Sequence, residues 1–379
     1  MQVEKRLRVA ICGAGIGGLA CALGLLRYPD IEIAVYESSA NLTEVGVGIG
    51  LWPCPWKVMR QLGPEQDLLK VAQKIPPDEL VATFELRRGD IDVDRLLTSF
   101  VLAGPLRTFH RATFQQVLVQ KFVKTGQIQY SKRLRGHRYL EEPSRKIELV
   151  FEDGSLTPCD MLIGADGVKS AVRTTMLTAE VKLLSSNGNS AGANELLRCI
   201  RPSWSSQIVY RAVFVSEHDL ENTEYGGLWV EKSSKDDILV RFATWEQEAK
   251  DLIDCIDTLN KWAIHCVRPM PTYVSGRVAL LGDAAHAMIP HQGSRAGQAI
   301  EVRLRPVVAL LLVYLLIPTV QDGFMLSSLL GNSYTTRETV LEVFKLGEAI
   351  TDNWEWAWIS TLNDAVDDAL TMLSETRRK

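Results

Sequence analysis

The first residues able to do chemistry are three glycines that follow an apolar run near the start of the chain. Gly13, Gly15 and Gly18 come after the apolar residues 7–12 at the spacing GxGxxG, and Glu37 lies nineteen positions after Gly18. In a dinucleotide-binding turn the first glycine permits the tight turn, the second admits a pyrophosphate, and the third lets the helix pack closely. The pyrophosphate lies at the helix N-terminus, where free N–H groups favour negative charge. An acid at Glu37 suits an unphosphorylated adenosine ribose, as in FAD or NAD.

A glycine-rich turn has a competing interpretation, because many strands end in a turn that only packs against its neighbours. Here an apolar strand, the turn, a helical segment, a second apolar strand at 31–36 and the terminal acid follow in register. This order favours cofactor binding over a purely structural turn. It does not distinguish FAD from NAD.

Two further acids stand directly after apolar runs. Asp166, followed by Gly167, ends the run MLIGADG, and Asp283 follows Gly282 after RVALL. Asp283 is placed to accept hydrogen bonds from the hydroxyl groups of a ribityl chain, with a helix N-terminus nearby. The alternative for either acid is a helix cap, which stabilises by about 1 kcal/mol.

Composition excludes several classes of protein. With 379 residues, 46% hydrophobic composition and a net charge of −4, the chain can bury a large core and is not expected to bind nucleic acid. Its seven cysteines are scattered without a CxxC pair, which predicts reduced thiols in the cytoplasm and no metal site. The apolar segment 307–317 is shorter than the ~20 residues of a transmembrane helix, so membrane contact is not expected.

The remaining pattern predicts the elements that position these residues. Alternating glycines around Gly48 indicate backbone that lies close to a bulky group. Strands are predicted within 80–106, 208–215, 227–230, 238–243 and 277–281, a β-meander across 128–154, and helices after residues 113 and 295 and through the C-terminal part.

Three separated motifs resemble those of FAD-dependent aromatic hydroxylases, the flavoprotein monooxygenases of the salicylate hydroxylase type common in fungal secondary metabolism. They are GAGIGG at 13–18, GADG at 164–167 and GDAAHAMIPHQG at 282–293. The resemblance implies an α/β fold with a Rossmann-like FAD-binding domain, an inserted mixed β-sheet substrate domain and C-terminal helices. The implied FAD-binding parts are 1–75, 107–180 and 266–305, the substrate-domain parts are 76–106 and 181–265, and the helical region is 306–379.

The resemblance also implies a reaction. FAD takes hydride from NAD(P)H, reacts with O₂ to give a C4a-hydroperoxide, and hydroxylates a small aromatic or polyketide-like substrate. Arg111 matches an arginine near the flavin and its phosphates, and Asp166 and Gly167 match a motif that serves both FAD and NAD(P)H. The flavin-ring loop is matched by Pro290, Gly293 and Ala296. The candidates for holding or ionising the substrate are Arg211, Tyr210 and His110.

The chain departs from the family pattern in four places. Arg295 stands where glycine is common, Val302 and Arg303 replace Asp-Ala, Cys54 and Pro55 replace Asn-Ala, and the segment 241–262 is shorter than in relatives. These departures leave two alternatives open. One is a relative that binds FAD or another ligand without efficient turnover, and the other is an NAD-dependent dehydrogenase, for which the GDAAH stretch would have no use.

Overall fold

The computed structural model describes residues 7–42, 48–72, 80–87, 96–103, 106–123, 127–141, 146–212, 230–245, 247–254, 256, 259–290 and 293–301. The apolar segment 307–317 and the predicted C-terminal helices lie outside these residues. Residues 213–215 of the predicted strand 208–215 and residues 227–229 of the predicted strand 227–230 also lie outside them. The boundaries drawn between a FAD-binding and a substrate domain stay predictions.

The strands in these residues are β1 (Leu7–Cys12), β2 (Ile31–Tyr36), β3 (Gly48–Leu51), β4 (Leu80–Arg87), β5 (Leu96–Ala103), β6 (Arg107–His110), β7 (Gln127–Gln129), β8 (Leu134–Tyr139), β9 (Ile147–Phe151), β10 (Leu156–Cys159), β11 (Met161–Gly164), β12 (Ser203–Ala212), β13 (Val230–Ser233), β14 (Leu259–Cys266), β15 (Val274–Ser275) and β16 (Val278–Leu280). The helices are α1 (Ile16–Leu25), α2 (Pro53–Leu62), α3 (Glu65–Leu69), α4 (Arg111–Phe122), α5 (Ala171–Ser186), α6 (Ser190–Ile200), α7 (Lys235–Arg241), α8 (Gln247–Asp254), α9 (Asp283–His286) and α10 (Arg295–Glu301).

A six-stranded sheet forms the centre of the fold, in the order β15-β16-β11-β1-β2-β7. The five strands from β16 to β7 are parallel neighbours, and β15 runs antiparallel at one edge. The register pairs Cys12 with both Gly164 and Tyr36, and pairs Gly164 with Leu280. Parallel strands end at the same edge, so the glycine turn, Glu37, the GADG motif and the GDAAH motif all follow strand ends at one edge of the sheet.

Helix α1 is buried on all sides, which its composition of Ile, Leu, Ala, Gly and Cys explains. It contacts α4 and α10 as well as the sheet. A Cβ at Gly17 would lie 3.0 Å from the Cβ of Ala299 in α10, so a small residue is needed where these two helices cross. The core therefore holds α1 and the glycine turn before it against the sheet and against two helices, α4 and α10, from distant parts of the sequence.

A smaller sheet has the order β12-β14-β13, and all of its pairs are antiparallel. Strands β8, β9 and β10 form a separate antiparallel meander, while β3 pairs with β6 and β4 pairs with β5. The fold agrees with the predicted α/β class of a parallel nucleotide-binding sheet accompanied by antiparallel sheets.

Two local predictions were wrong, and one strand was missed. The residues at 128–130 were assigned to the meander, but β7 pairs with β2 in the parallel sheet. Residues 238–243 were predicted as a strand, but α7 covers 235–241, because a short apolar run has no period that separates the two structures. Strand β14, which is the central strand of the smaller sheet, was not predicted at all.

Candidate functional site

The three glycines of the first turn differ in the space around them. Gly13 has φ +106°, and a Cβ there would lie 2.1 Å from the carbonyl oxygen of Ala165. A Cβ at Gly18 would lie 2.0 Å from the carbonyl oxygen of Gly13. At Gly15 no heavy atom of the described residues lies within 4 Å of an added Cβ. Two glycines therefore serve packing, and Gly15 faces open space.

Gly15 is also the N-cap of α1, and no side chain accepts a hydrogen bond at that end. The first N–H groups of a helix have no partner within the helix, so an uncapped, open N-terminus fits a phosphate group. The residues present fit the pyrophosphate of a dinucleotide. The binding role of Gly13, Gly15 and Gly18 stays a prediction.

Glu37 ties the end of β2 to this turn. Its Oε2 atom accepts a hydrogen bond from the N–H of Ala14 at 2.8 Å, and Oε1 accepts from the N–H of Ser39 at 2.9 Å and the hydroxyl of Ser38 at 3.1 Å. A carboxylate has about four acceptor positions, so acceptor capacity remains for ribose hydroxyls. Glu37 therefore also holds the glycine turn in place, through its hydrogen bond with Ala14.

Helix α4 contacts the same turn through a buried polar side chain. The side chain of Gln115 is buried and donates a hydrogen bond to the carbonyl oxygen of Ala14 at 2.6 Å. Arg111 begins the helix four residues earlier, so it lies on the same helix face as Gln115, and it is exposed. Gly48 of β3 pairs with His110 of β6, which is the N-cap of α4. Gln115 was missed by the sequence reasoning, although a glutamine among apolar helix positions was a signal.

Asp166 of the GADG motif caps α5. Its Oδ2 atom accepts from the N–H groups of Ala171 at 2.7 Å and Val172 at 3.1 Å, and Oδ1 accepts from the hydroxyl of Ser170. Burial raises the pKa of Asp166, and the hydrogen bonds oppose that rise. Gly167 has φ +81° and open space at its Cβ position. The capped turn considered as an alternative is thus present, and a ligand role for Asp166 and Gly167 stays a prediction.

Arg173 is a further structural residue that the sequence reasoning missed. It is completely buried, and its guanidinium donates to the carbonyl oxygens of Val168, Ala284 and Ile200. Burial lowers its pKa to about 10. The signal was available, since Arg173 occupies the first position of an i, i+3, i+4 stripe whose other members are Met176 and Leu177. This arginine joins the GADG segment to the GDAAH segment.

The GDAAH segment contains an ion pair that the sequence alone did not predict. Arg295 Nη1, at the start of α10, lies 3.8 Å from Asp283 Oδ2. The side chains are 29% and 37% exposed, so the guanidinium is held within the site and does not extend fully into solvent. Arg295 therefore supplies positive charge beside the carboxylate that we predicted to accept from a ribityl chain.

His286 lies behind Asp283 and is buried. Neither ring nitrogen has a hydrogen-bond partner among the described residues, and burial lowers the pKa of the imidazole. Its neutral form is favoured at pH 7.

The predicted flavin-ring loop is described in part. The N–H of Gly293 donates to the carbonyl oxygen of Pro290 at 2.9 Å, and Gly293 has φ +65° with open space at its Cβ position. Ala296 is half-buried in the first turn of α10. Because Gly293 has no side chain and the space at its Cβ position is open, a planar group can approach the backbone here.

The three candidate catalytic residues occupy two different sheets. Tyr210 and Arg211 lie in β12, opposite Lys261 and Asn260 of β14. His110 ends β6 and is exposed. The structure thus places Tyr210 and Arg211 as consecutive residues of one strand in the smaller sheet and His110 opposite Gly48, and the catalytic role of all three stays a prediction.

The sequence profile of the FAD binding domain family matches residues 6–300. Salicylate hydroxylase from Pseudomonas putida is 30% identical over 97% of this chain and 95% of its own length. The chain belongs to the FAD-dependent monooxygenases of the salicylate hydroxylase type. A fungal relative, 6-methylsalicylate 1-monooxygenase from Aspergillus terreus, is 28% identical over 79% of this chain and 74% of its own length.

A solved structure of a salicylate hydroxylase substrate complex superimposes with a TM-score of 0.67, at 26% identity, covering 96% of this chain and 98% of that chain. The chain is therefore an oxidoreductase, a monooxygenase that uses FAD and NAD(P)H. This confirms the enzyme class that the sequence motifs predicted. The similarity along both chains leaves no support for the dehydrogenase alternative or the non-catalytic one.

The described residues contain neither a membrane-spanning helix nor a cluster of metal ligands. None of their helices combines the length and apolar character required to cross a bilayer. In the same ranges, no group of three or more His, Cys, Asp or Glu side chains could hold a metal ion.

Proposed function

We propose that the protein hydroxylates a small phenolic acid related to salicylate, with NAD(P)H and O₂ as co-substrates. The observation that carries the proposal is the similarity to salicylate hydroxylase over 97% of the chain, in a fold that gathers three motif turns at one sheet edge. When bound, FAD supplies hydride acceptance from NAD(P)H and activation of O₂.

The residues at this edge would hold the cofactor. The open N-terminus of α1 at Gly15 would hold the pyrophosphate, and the remaining acceptor positions of Glu37 would bind the ribose hydroxyls. Asp283 would accept from the ribityl hydroxyls at the other end, and Arg111 would lie near the phosphates from the α4 face that Gln115 anchors.

The loop that contains Pro290, Gly293 and Ala296 would lie along the flavin ring. Its backbone N–H groups, together with the Arg295 guanidinium, would place positive potential where reduction adds negative charge. This arrangement favours hydride acceptance.

Substrate contacts would come from the smaller sheet and from His110 at the end of β6. A guanidinium such as Arg211 suits a carboxylate or phenolate because its donors form a fixed fork. Tyr210 and His110 would help to ionise the phenol, and an ionised phenol activates its own ring toward electrophilic oxygen.

The test is product formation with the purified holoenzyme. Salicylate, 6-methylsalicylate and 3-hydroxybenzoate are supplied separately with NADH or NADPH under ¹⁸O₂, and products are identified by mass. We expect one phenolic acid to accelerate NAD(P)H oxidation and to gain one ¹⁸O atom. If none of a wider panel of phenolic acids gains oxygen while the bound flavin is still reduced, the substrate class is wrong.

We also propose that the protein works in a reducing compartment such as the cytoplasm. The support is that the six cysteines in the described residues are free thiols, five of them buried. Titration of thiols in protein purified without reductant checks this, and fewer than seven titratable thiols after denaturation would contradict it.

A further inference from the structure

A cavity of about 500 Å³ lies away from the glycine turn, between α6, the first half of β12 and the segment after β14. Its wall includes Cys266, at the end of β14, and Ile289. This volume is in the range of small-molecule sites and exceeds what a single-ring acid requires. None of the residues that we predicted from the sequence to bind ligands lines it.

Two arginines enter this cavity from different elements. Arg198 comes from α6 and Arg268 from the segment after β14, and both are exposed. Among the described residues, neither guanidinium has a hydrogen bond or ion pair. Glu195 also lines the cavity, so the three ionised side chains carry a net charge of +1. Two available guanidinium forks in one cavity suit the oxygen atoms of phosphate groups.

The cavity also offers a planar surface and polar groups. Trp204 lines it and is 43% exposed, which leaves much of the indole accessible. Ser205 lines the same wall, donates its hydroxyl hydrogen to the carbonyl oxygen of Ile264 at 2.8 Å and accepts from the N–H of Gln207 at 3.3 Å, so its oxygen has one acceptor position left. Every nucleobase has a flat face that can stack on an exposed indole. Phosphate-binding cations beside such a surface are typical of a nucleotide site.

The cavity adjoins the flavin-ring loop. The N–H of Val267 donates to the carbonyl oxygen of Ala287 at 2.8 Å, which holds the segment after β14 against the chain that leads into the loop. Ile289, in the cavity wall, directly precedes Pro290. Burial raises the pKa of Cys266, and the charges of Arg295 and Asp283 also act on this thiol, so the cavity wall and the ion pair are close.

We propose that this cavity binds the phosphate-bearing part of NAD(P)H, with phosphates at Arg198 and Arg268 and the adenine ring against Trp204. The proposal rests on the NAD(P)H-dependent function above. The nicotinamide end would then extend past Ile289 toward the loop beside the flavin. A small phenolic acid has no phosphates and no second ring, so it would leave much of the cavity unused.

The test measures binding of the non-reactive coenzymes NADP⁺ and NAD⁺ to the flavin-loaded enzyme by calorimetry. We expect Arg198→Ala and Arg268→Ala each to weaken the Kd of at least one coenzyme about tenfold to a hundredfold, since a charge-assisted hydrogen bond is lost. Arg27→Ala is the matched control, because Arg27 is exposed and follows α1, outside the cavity. Trp204→Ala should weaken binding more than Trp204→Phe, which keeps an aromatic face.

The outcomes separate this inference from the proposed function. If coenzyme affinity is unchanged in both arginine variants while the wild type still hydroxylates a phenolic acid, the cavity is not the coenzyme site and the function stands. If the variants weaken salicylate binding and leave NADP⁺ and NAD⁺ binding unchanged, the cavity is a substrate site and the inference is wrong. Weakened coenzyme binding without oxygen transfer to any phenol supports the cavity and contradicts the function.

Discussion

At the scale of single residues, two glycines of the same turn serve different purposes: Gly18 permits close packing, and Gly15 leaves space for a ligand. A Cβ at Gly18 meets backbone 2.0 Å away, whereas at Gly15 it meets no described atom within 4 Å. Gly15 also has φ −67° and ψ 176°, which alanine adopts without strain. The two positions can therefore be tested by the same substitution.

We expect Gly18→Ala to destabilise the apoprotein by about 1–3 kcal/mol or more, because the backbone must move to admit the methyl group. Gly15→Ala should leave the melting temperature of the apoprotein unchanged and weaken FAD binding, because the methyl group enters the pyrophosphate space. Differential scanning calorimetry and flavin content after dialysis check this. Full flavin retention in Gly15→Ala would contradict the proposed pyrophosphate position.

Arg295 sets the charge around Asp283. Removing the guanidinium in Arg295→Gly should lower the midpoint potential of the bound flavin by about 20–40 mV, because roughly 1–2 kcal/mol of favourable interaction with the reduced anion is lost. Arg295→Lys keeps the charge and should change the potential less. Spectroelectrochemical titration of the holoenzyme measures both, and an unchanged potential in Arg295→Gly would exclude the arginine from flavin tuning.

At the scale of elements, local signals were sufficient where a strand, a turn and a helix follow one another. The β1–α1–β2 unit and the strands β11 and β16 were predicted because apolar runs end in a glycine turn or a glycine–acid turn. Strand β14 was missed because LNKWAIHC has no clear alternation, and its place depends on pairing with β12 and β13. Likewise β7 belongs to the parallel sheet only through its pairing with β2, which no local pattern shows.

In the candidate site, too, the sequence predicted what depends on local spacing and missed what depends on tertiary contact. Motif residues were found because glycine and acid spacing is local, but the Arg295–Asp283 pair and the Gln115–Ala14 hydrogen bond depend on tertiary contact. The three hydrogen bonds of Arg173 span up to 111 positions of sequence.

The buried guanidinium of Arg173 joins the GADG segment to the GDAAH segment. Arg173→Met should reduce the free energy of unfolding by about 3 kcal/mol or more, because three carbonyl oxygens lose their donor. Flavin content should fall with it, since the GADG and GDAAH segments lose their link. Arg135→Met, at an exposed position in β8, is the control, and chemical unfolding monitored by tryptophan fluorescence is the measurement. Equal stability of the two variants would contradict the assigned role.

At the scale of the whole molecule, two histidines with lowered pKa values, the half-buried His137 and the buried His286, make stability sensitive to acid. Burial lowers the pKa of His137 to about 4, from an ordinary value near 6.5, and its Nδ1 has no partner in the described residues. Burial also lowers the pKa of His286. Below pH 6.5 these imidazoles bind protons in the unfolded chain but stay neutral in the folded protein. The free energy of unfolding therefore falls as the pH drops from 6.5 toward 4.

We expect His137→Gln to reduce the loss of stability between pH 6.5 and 4.5 relative to the wild type. Urea unfolding at several pH values measures the two slopes, each proton contributing at most about 1.4 kcal/mol per pH unit. Parallel slopes would show that His137 is protonated in the folded state over this range.

The order of the central sheet also bears on how the chain is made. Strand β1 starts at residue 7, yet its neighbour β11 starts at residue 161, and the next strand, β16, at residue 278. A nascent chain that has left the ribosome only as far as β2 exposes an unpaired parallel edge for more than a hundred further residues. Such non-local pairing folds slowly and is open to association with other chains. The long interval between β2 and β11 is therefore the stage of synthesis at which this edge is most exposed to pairing with other chains.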